Sequence, residues 1–177
     1  MSIRRLENPK TELYLDFKEK ILSSEFKWVY SRTTTDDLGD SGEYGHHNMY
    51  AHCLLGRPGT TKLYPQTLSK YLDHFNDILI ELFNFNRIEP HEFNVMIRAN
   101  VNAVNPQIGK VKYSIPHMDH EFSHKNMLIY LTDAGGSTFV EGEEFAPEED
   151  DVIIFQGEHW HELPKQKRRV VLVMTYI

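Results

Sequence analysis

Apolar residues Leu13, Phe17 and Ile21 recur every four positions behind Thr11, which predicts a short amphipathic helix with Thr11 as its N-cap. Residues 26–34 (FKWVYSRTT) are dominated by β-branched and aromatic side chains, and 49–55 (MYAHCLL) form an apolar run. These read as two strands around a Gly/Asp/Ser-rich loop at 36–45. The clearest helix covers 65–84. Pro65 sits near its first turn, and Leu68, Tyr71, Leu72, Phe75, Ile78, Leu79 and Leu82 form one apolar stripe that calls for a sheet to pack on.

After Pro90 the texture changes to short strands separated by turn signals. Six are predicted, at 93–103, 110–117, 126–132, 137–145, 151–156 and 169–176. Strands this short and regular belong to a sandwich or barrel, with the N-terminal helices covering one outer face. The expectation is a mainly β fold forming one domain over 1–177. In it, 1–90 supply supporting helices and strands, and 91–177 the core barrel with the functional site. In the strand at 93–103, Val95, Ile97, Ala99, Val101 and Ala103 point one way, while Met96, Arg98, Asn100 and Asn102 point the other. The polar row meets either solvent or a polar cavity inside the barrel.

Composition narrows the function. The net charge is −7, which argues against a long nucleic acid as partner because phosphate neutralisation needs a basic face. The single Cys53 has no internal disulfide partner, and no secretory leader is recognisable, so a reducing cytoplasm is expected. No apolar run is long enough for a membrane span. Seven of the ten histidines cluster at 46/47, 117/120/124 and 159/161, which raises the prior for metal chemistry.

In IPHMDHEF, His117 and Asp119 stand at i and i+2 near a strand end, so both side chains emerge on one face and can reach one metal. A third ligand from another strand completes a two-histidine, one-carboxylate face with three open positions. A His-x-Asp pair alone is weak evidence in a chain with ten histidines. Its context is more specific: GGSTF (135–139), DDVIIFQGEHWHELP (150–164) and RRVVLVMTY (168–176) follow in order. This ordered set resembles the 2-oxoglutarate/Fe(II) oxygenases, and most of all their prolyl-hydroxylase branch. The IRANVN segment before His117 resembles small phage-encoded members. The resemblance covers residues 93–177 well, and the N-terminal half only in its layout of helices and strands.

The resemblance implies a double-stranded β-helix, the jelly-roll or cupin-like barrel. It also implies Fe(II), 2-oxoglutarate and O2 as reactants, with ascorbate as a supporting reductant. It makes His117 and Asp119 iron ligands and His161 the third, because HELP matches the family's ligand histidine with a nearby proline; His159 shares the strand face and is the rival. Arg169 would hold the distal carboxylate of 2-oxoglutarate as a bidentate, charge-assisted pair, with Arg168 facing away. The family spaces this basic residue nine or ten after its ligand histidine, whereas Arg169 is eight after His161. Tyr130 matches a tyrosine that bonds the same carboxylate, or else packs in the core. Asn100, Asn102 and Arg98 would line the polar interior near the co-substrate. Tyr113 and Thr175 read as packing, His120 and His124 as rim residues, His46 and His47 as solvated, and 34–47 as a lid over the mouth.

The implied reaction is hydroxylation of a C–H bond coupled to conversion of 2-oxoglutarate to succinate and CO2. The substrate is a peptidyl prolyl, another protein residue or a small molecule. The competing expectation is a non-catalytic, cupin-like barrel that binds a metal or small molecule. A buried Arg169 facing an open metal site would separate the two.

Overall fold

The computed structural model describes residues 3–32, 42–57 and 68–177. Helix α1 (Glu12–Leu22) starts where the sequence places it: the Thr11 hydroxyl accepts a hydrogen bond from the Tyr14 N–H and buries Tyr14, Phe17 and Ile21 on one face. The same hydroxyl donates to Glu81 on α2 (Leu72–Phe85), which joins the two helices. Helix α2 begins at Leu72, later than predicted. Leu68 is exposed and bridges Leu55, and Pro65 lies outside the described residues.

Among the described residues, ten strands occur in the order β1 (Arg4–Leu6), β2 (Val29–Ser31), β3 (Met49–Leu55), β4 (Met96–Val104), β5 (Lys125–Tyr130), β6 (Thr138–Val140), β7 (Glu143–Phe145), β8 (Val152–Phe155), β9 (His159–His161) and β10 (Arg169–Tyr176). Seven form a sheet in the order β1-β8-β5-β10-β4-β3-β2, and three form a second sheet, β7-β6-β9. All the strand pairs are antiparallel.

The large sheet carries two apolar layers because its side chains alternate. Its outer face presents Ala99, Val101 and Ala103 from β4, Met127 and Ile129 from β5, and Leu172 and Met174 from β10 to Phe17, Phe75, Ile78 and Leu82 of the helices. On the inner face Leu128, Tyr130, Ile153, Phe155 and Val171 meet Val140 and Phe145 of the small sheet. The polar row of β4 falls on that inner side, since its odd-numbered residues from Ile97 to Ala103 are the buried ones.

Two predicted strands have a different form. Residues 110–117 make only isolated bridges, Tyr113 to Tyr44 and Glu162, and His117 to His159. Pro116 offers no N–H to a ladder, and the Ser114 hydroxyl replaces a backbone acceptor by taking the His161 N–H. The segment 137–145 is a hairpin, not one strand: Glu141 (φ 48°) and Gly142 (φ 91°) are both left-handed and reverse the chain between β6 and β7. Strand β9, only three residues long, is not among the six strands that the hydrophobic pattern predicts, although His159 and His161 do share one strand face as expected.

Candidate metal centre

Strand β9 brings its odd-numbered side chains, His159 and His161, to the inner side of the small sheet. The bridge between His117 and His159, closed by hydrogen bonds of 3.0 Å in both directions, sets those two residues directly opposite one another. Their rings stand 4.5 Å apart. One nitrogen from each and one carboxylate oxygen of Asp119 lie within 4.8 Å of one another. The expected partner His161 is not in this group. It lies one pair farther along β9, opposite Thr138, and its Nδ1 is 2.8 Å from the Thr138 hydroxyl. Two residues on one strand face are separated along the strand, and the cross-strand bridge places His159, not His161, beside His117.

The surroundings prepare these groups for a cation. The Nδ1 of His117 faces the Ile115 carbonyl at 2.9 Å and that of His159 faces the Gly157 carbonyl at 3.3 Å, so each Nδ1–H donates to backbone and each Nε2 keeps its lone pair. Burial, aided by His117, pushes His159 down to about 4, which leaves it neutral at physiological pH with a lone pair a cation could use. Burial works to raise the Asp119 carboxyl, but Arg98 above all, then His159, His117 and Arg57, hold it at about 2. Arg98 donates to Asp119 Oδ1 at 2.7 Å and Arg57 approaches the same oxygen at 3.4 Å, whereas Oδ2 is 3.7 Å from His159 Nε2. One carboxylate oxygen is thus engaged by guanidinium and the other turns toward the imidazoles. In the amide orientation its neighbours require, Asn100 accepts from Arg98 Nη2 (2.7 Å) and Nε (3.1 Å), which fixes the guanidinium from behind.

Two imidazole nitrogens and one carboxylate oxygen on a single face fit a six-coordinate Fe(II) with open positions better than structural zinc, which favours a closed tetrahedron with thiolates. Beyond the triad lies a second charged group. Arg169 is buried on the inner side of β10, in line with Val171, and its Nη1 donates to the Glu162 carbonyl at 2.8 Å. Arg168 points the other way, exposed, with Nε on Asn105. Tyr130, buried on β5, has its hydroxyl 2.7 Å from that of Thr138. Burial raises the Tyr130 hydroxyl to about 12 against the opposing pull of Thr138 and Arg169, so it keeps its proton.

The remaining expected residues divide. Asn102 lies on the inner side of β4 with a buried, unpartnered Oδ1. Thr175 is buried and 2.8 Å from His120 Nε2. Tyr113 stacks outside on Tyr44. His124 is buried at the barrel wall and is not a rim residue, because Phe122 and His120 cover it. His47 is also buried and not solvated; burial, Arg169, His46 and His117 lower it to about 4 despite the Gly45 backbone. Much of the expected lid, residues 34–41, lies outside the described residues. The sequence reading also missed Thr138, although GGSTF contains it. Gly136 in that motif has φ +88°, and a Cβ there would stand 2.7 Å from the Glu162 carbonyl and 2.8 Å from that of Leu163. Glycine therefore lets β6 close on β9.

No family model matches the sequence, and no curated protein matches it. Solved structures do match the fold. A 2OG-Fe(II) oxygenase family oxidoreductase from Burkholderia pseudomallei superposes with a TM-score of 0.56 at 16% identity, covering 96% of this chain and 92% of that one. A prolyl hydroxylase from Trichoplax adhaerens, solved with a hypoxia inducible factor peptide fragment, gives 0.59 at 10% identity over 99% and 83%. The non-heme α-ketoglutarate-dependent epimerase SnoN of nogalamycin biosynthesis gives 0.57 at 12% over 99% and 77%. The chain has the double-stranded β-helix fold that these solved structures share.

Proposed function

We propose that this protein is an Fe(II)- and 2-oxoglutarate-dependent dioxygenase in which His117, Asp119 and His159 hold the metal. The observation that carries the reading is the pairing of this open-faced donor set with a buried arginine on the same inner side of the barrel. The histidine assignment also removes an irregularity of spacing: Arg169 stands ten residues after His159, within the nine or ten that the resembled family uses.

Each part has a definable task. The bound metal would supply the oxygen chemistry that no side chain can perform. His117 and His159 offer Nε2 because their backbone carbonyls hold the other nitrogen protonated. Arg98 restrains Asp119 to one outward oxygen, which leaves ligand positions for the keto-acid end of 2-oxoglutarate. Arg169 pairs with the distal carboxylate, and Tyr130 donates its retained proton to the same group. Asn100 and Asn102 line the wall between co-substrate and substrate. The Trichoplax enzyme carries a peptide, and the same fold supports a peptidyl prolyl or another protein residue as the hydroxylated group here.

A metal-binding barrel without activity is the alternative. It has no use for an arginine buried beside an open metal face, and such a charge is costly to bury without an anion to meet. Oxygen-dependent formation of succinate, followed by NMR with Fe(II), 2-oxoglutarate and a proline-containing peptide pool, tests the proposal. Succinate above the no-enzyme rate, lost in His159→Ala, is expected; none with the folded, metal-loaded wild type contradicts it.

A further inference from the structure

His161 is left without a task once His159 joins the metal group. Its position is nevertheless specific. It shares the inner face of β9 with His159, their rings 5.4 Å apart, and Arg169 Nη1 donates to the carbonyl of Glu162, the residue that follows it. It therefore neighbours the triad through His159 and the Arg169 guanidinium through the next peptide. A ligand that chelates at one end and pairs with Arg169 at the other would lie close to it.

The hydrogen bonds of His161 form a chain. Tyr130 OH, Thr138 Oγ1 and His161 Nδ1 follow at 2.7 and 2.8 Å. Thr138 is fully buried, Tyr130 nearly so, while His161 retains partial exposure. Proton counting gives the chain its property. A phenol, a hydroxyl and a neutral imidazole carry one proton each, and two internal bonds consume two. One proton remains, and it emerges either at the tyrosine oxygen or at His161 Nε2. When Tyr130 donates outward, Thr138 donates to Tyr130 and His161 Nδ1–H donates to Thr138. When the chain runs the other way, Nε2–H is the outward donor.

We propose that His161 is a co-substrate-binding residue which, through Thr138, forms with Tyr130 a single two-ended donor to the distal carboxylate beside Arg169. This rests on the oxygenase reading above. It assigns the second histidine of HWH to anion recognition, with the adaptability of a donor that can shift between two ends of one chain.

The test uses full-length protein loaded with Mn(II) in place of Fe(II). Mn(II) affinity is measured by electron paramagnetic resonance, and binding of 2-oxoglutarate and of oxalate by calorimetry. Oxalate chelates but lacks the distal carboxylate. His161→Leu is expected to keep Mn(II) and oxalate affinity within about threefold while weakening 2-oxoglutarate roughly 10- to 100-fold, the range for a hydrogen bond to a charged group. Thr138→Val, which keeps shape and breaks the chain, should move 2-oxoglutarate alone in the same direction, and the double variant should lose less than the product of the two single losses. A purely structural role would shift both ligands alike, which would overturn the proposal. So would unchanged 2-oxoglutarate affinity in both variants, or loss of Mn(II) in His161→Leu. Wild type that binds Mn(II) and oxalate but no 2-oxoglutarate would instead retire the oxygenase reading itself.

Discussion

Replacing Arg98 by Met should weaken the metal site without touching a ligand. Arg98 is 16% exposed and Asp119 8%, and the 2.7 Å contact between them is the strongest of the influences that lower the Asp119 carboxyl from its ordinary 3.8 to about 2. That depression favours the charged form by about 2 kcal/mol, shared among Arg98, His159, His117 and Arg57. Without the guanidinium, burial acts on Asp119 with less opposition, and a proton competes with the metal at higher pH. Removing such an outer partner typically costs 10- to 100-fold in metal affinity, about 1.4 to 2.8 kcal/mol. Arg98→Lys should fall between, because an ammonium cannot reach Asp119 and Asn100 together as the planar fork does. In the metal-free protein the depressed carboxyl contributes stability above pH 3.8 that is lost as pH falls toward 2, and Arg98→Met should lose it earlier. Competition titrations with Mn(II) at pH 7 and 5.5 measure the effect. Wild-type affinity in Arg98→Met at both pH values would refute the reasoning.

Other consequences follow from the same geometry. Arg169→Ala should raise the apparent KM for 2-oxoglutarate at least tenfold and Arg168→Ala should leave it nearly unchanged, because only the former is buried on the inner side; steady-state succinate formation decides, and equal effects contradict the strand register. Gly136→Ala should cost about 1–3 kcal/mol or more in urea denaturation, since it combines φ +88° with backbone oxygens inside contact distance, and a neutral result would mean β6 and β9 can part without penalty. His47 and His159 are held near 4 in the folded state against an ordinary 6.5. The unfolded chain therefore takes up more protons below pH 6.5, and apo-protein stability should fall between pH 6.5 and 4 by an order of 3 kcal/mol per histidine; flat stability across that window would show these rings protonate in place.

The parts of this fold that were legible in the sequence are those with long, clean periodicity. Strand β3 matches its predicted bounds, α1 starts after its threonine cap, and the two faces of β4 separate as alternation requires. Of the proposed metal group, His117 and Asp119 were legible, because their i and i+2 spacing fixes a shared face. The choice of its third member was not, because alternation places His159 and His161 on the same face and only the cross-strand bridge to His117 distinguishes them. The ten-residue interval from His159 to Arg169 was the available signal; the motif HELP outweighed it. Arg98 was visible as an inward polar residue, but its contact with Asp119 joins residues 21 apart and needs the fold to be seen. His47 and His124 read as polar surface because their burial comes from tertiary packing alone.

The central claim is that one face of His117, Asp119 and His159 holds Fe(II) with room for a chelating keto acid. Anaerobic addition of Fe(II) and then 2-oxoglutarate to apo-protein tests it most directly, by optical absorption. A visible metal-to-ligand charge-transfer band should develop at one equivalent of each in wild type and in His161→Leu at saturating co-substrate, and be absent in His159→Ala. A folded wild-type protein without the band, or a band that survives in His159→Ala and vanishes in His161→Leu, would contradict it.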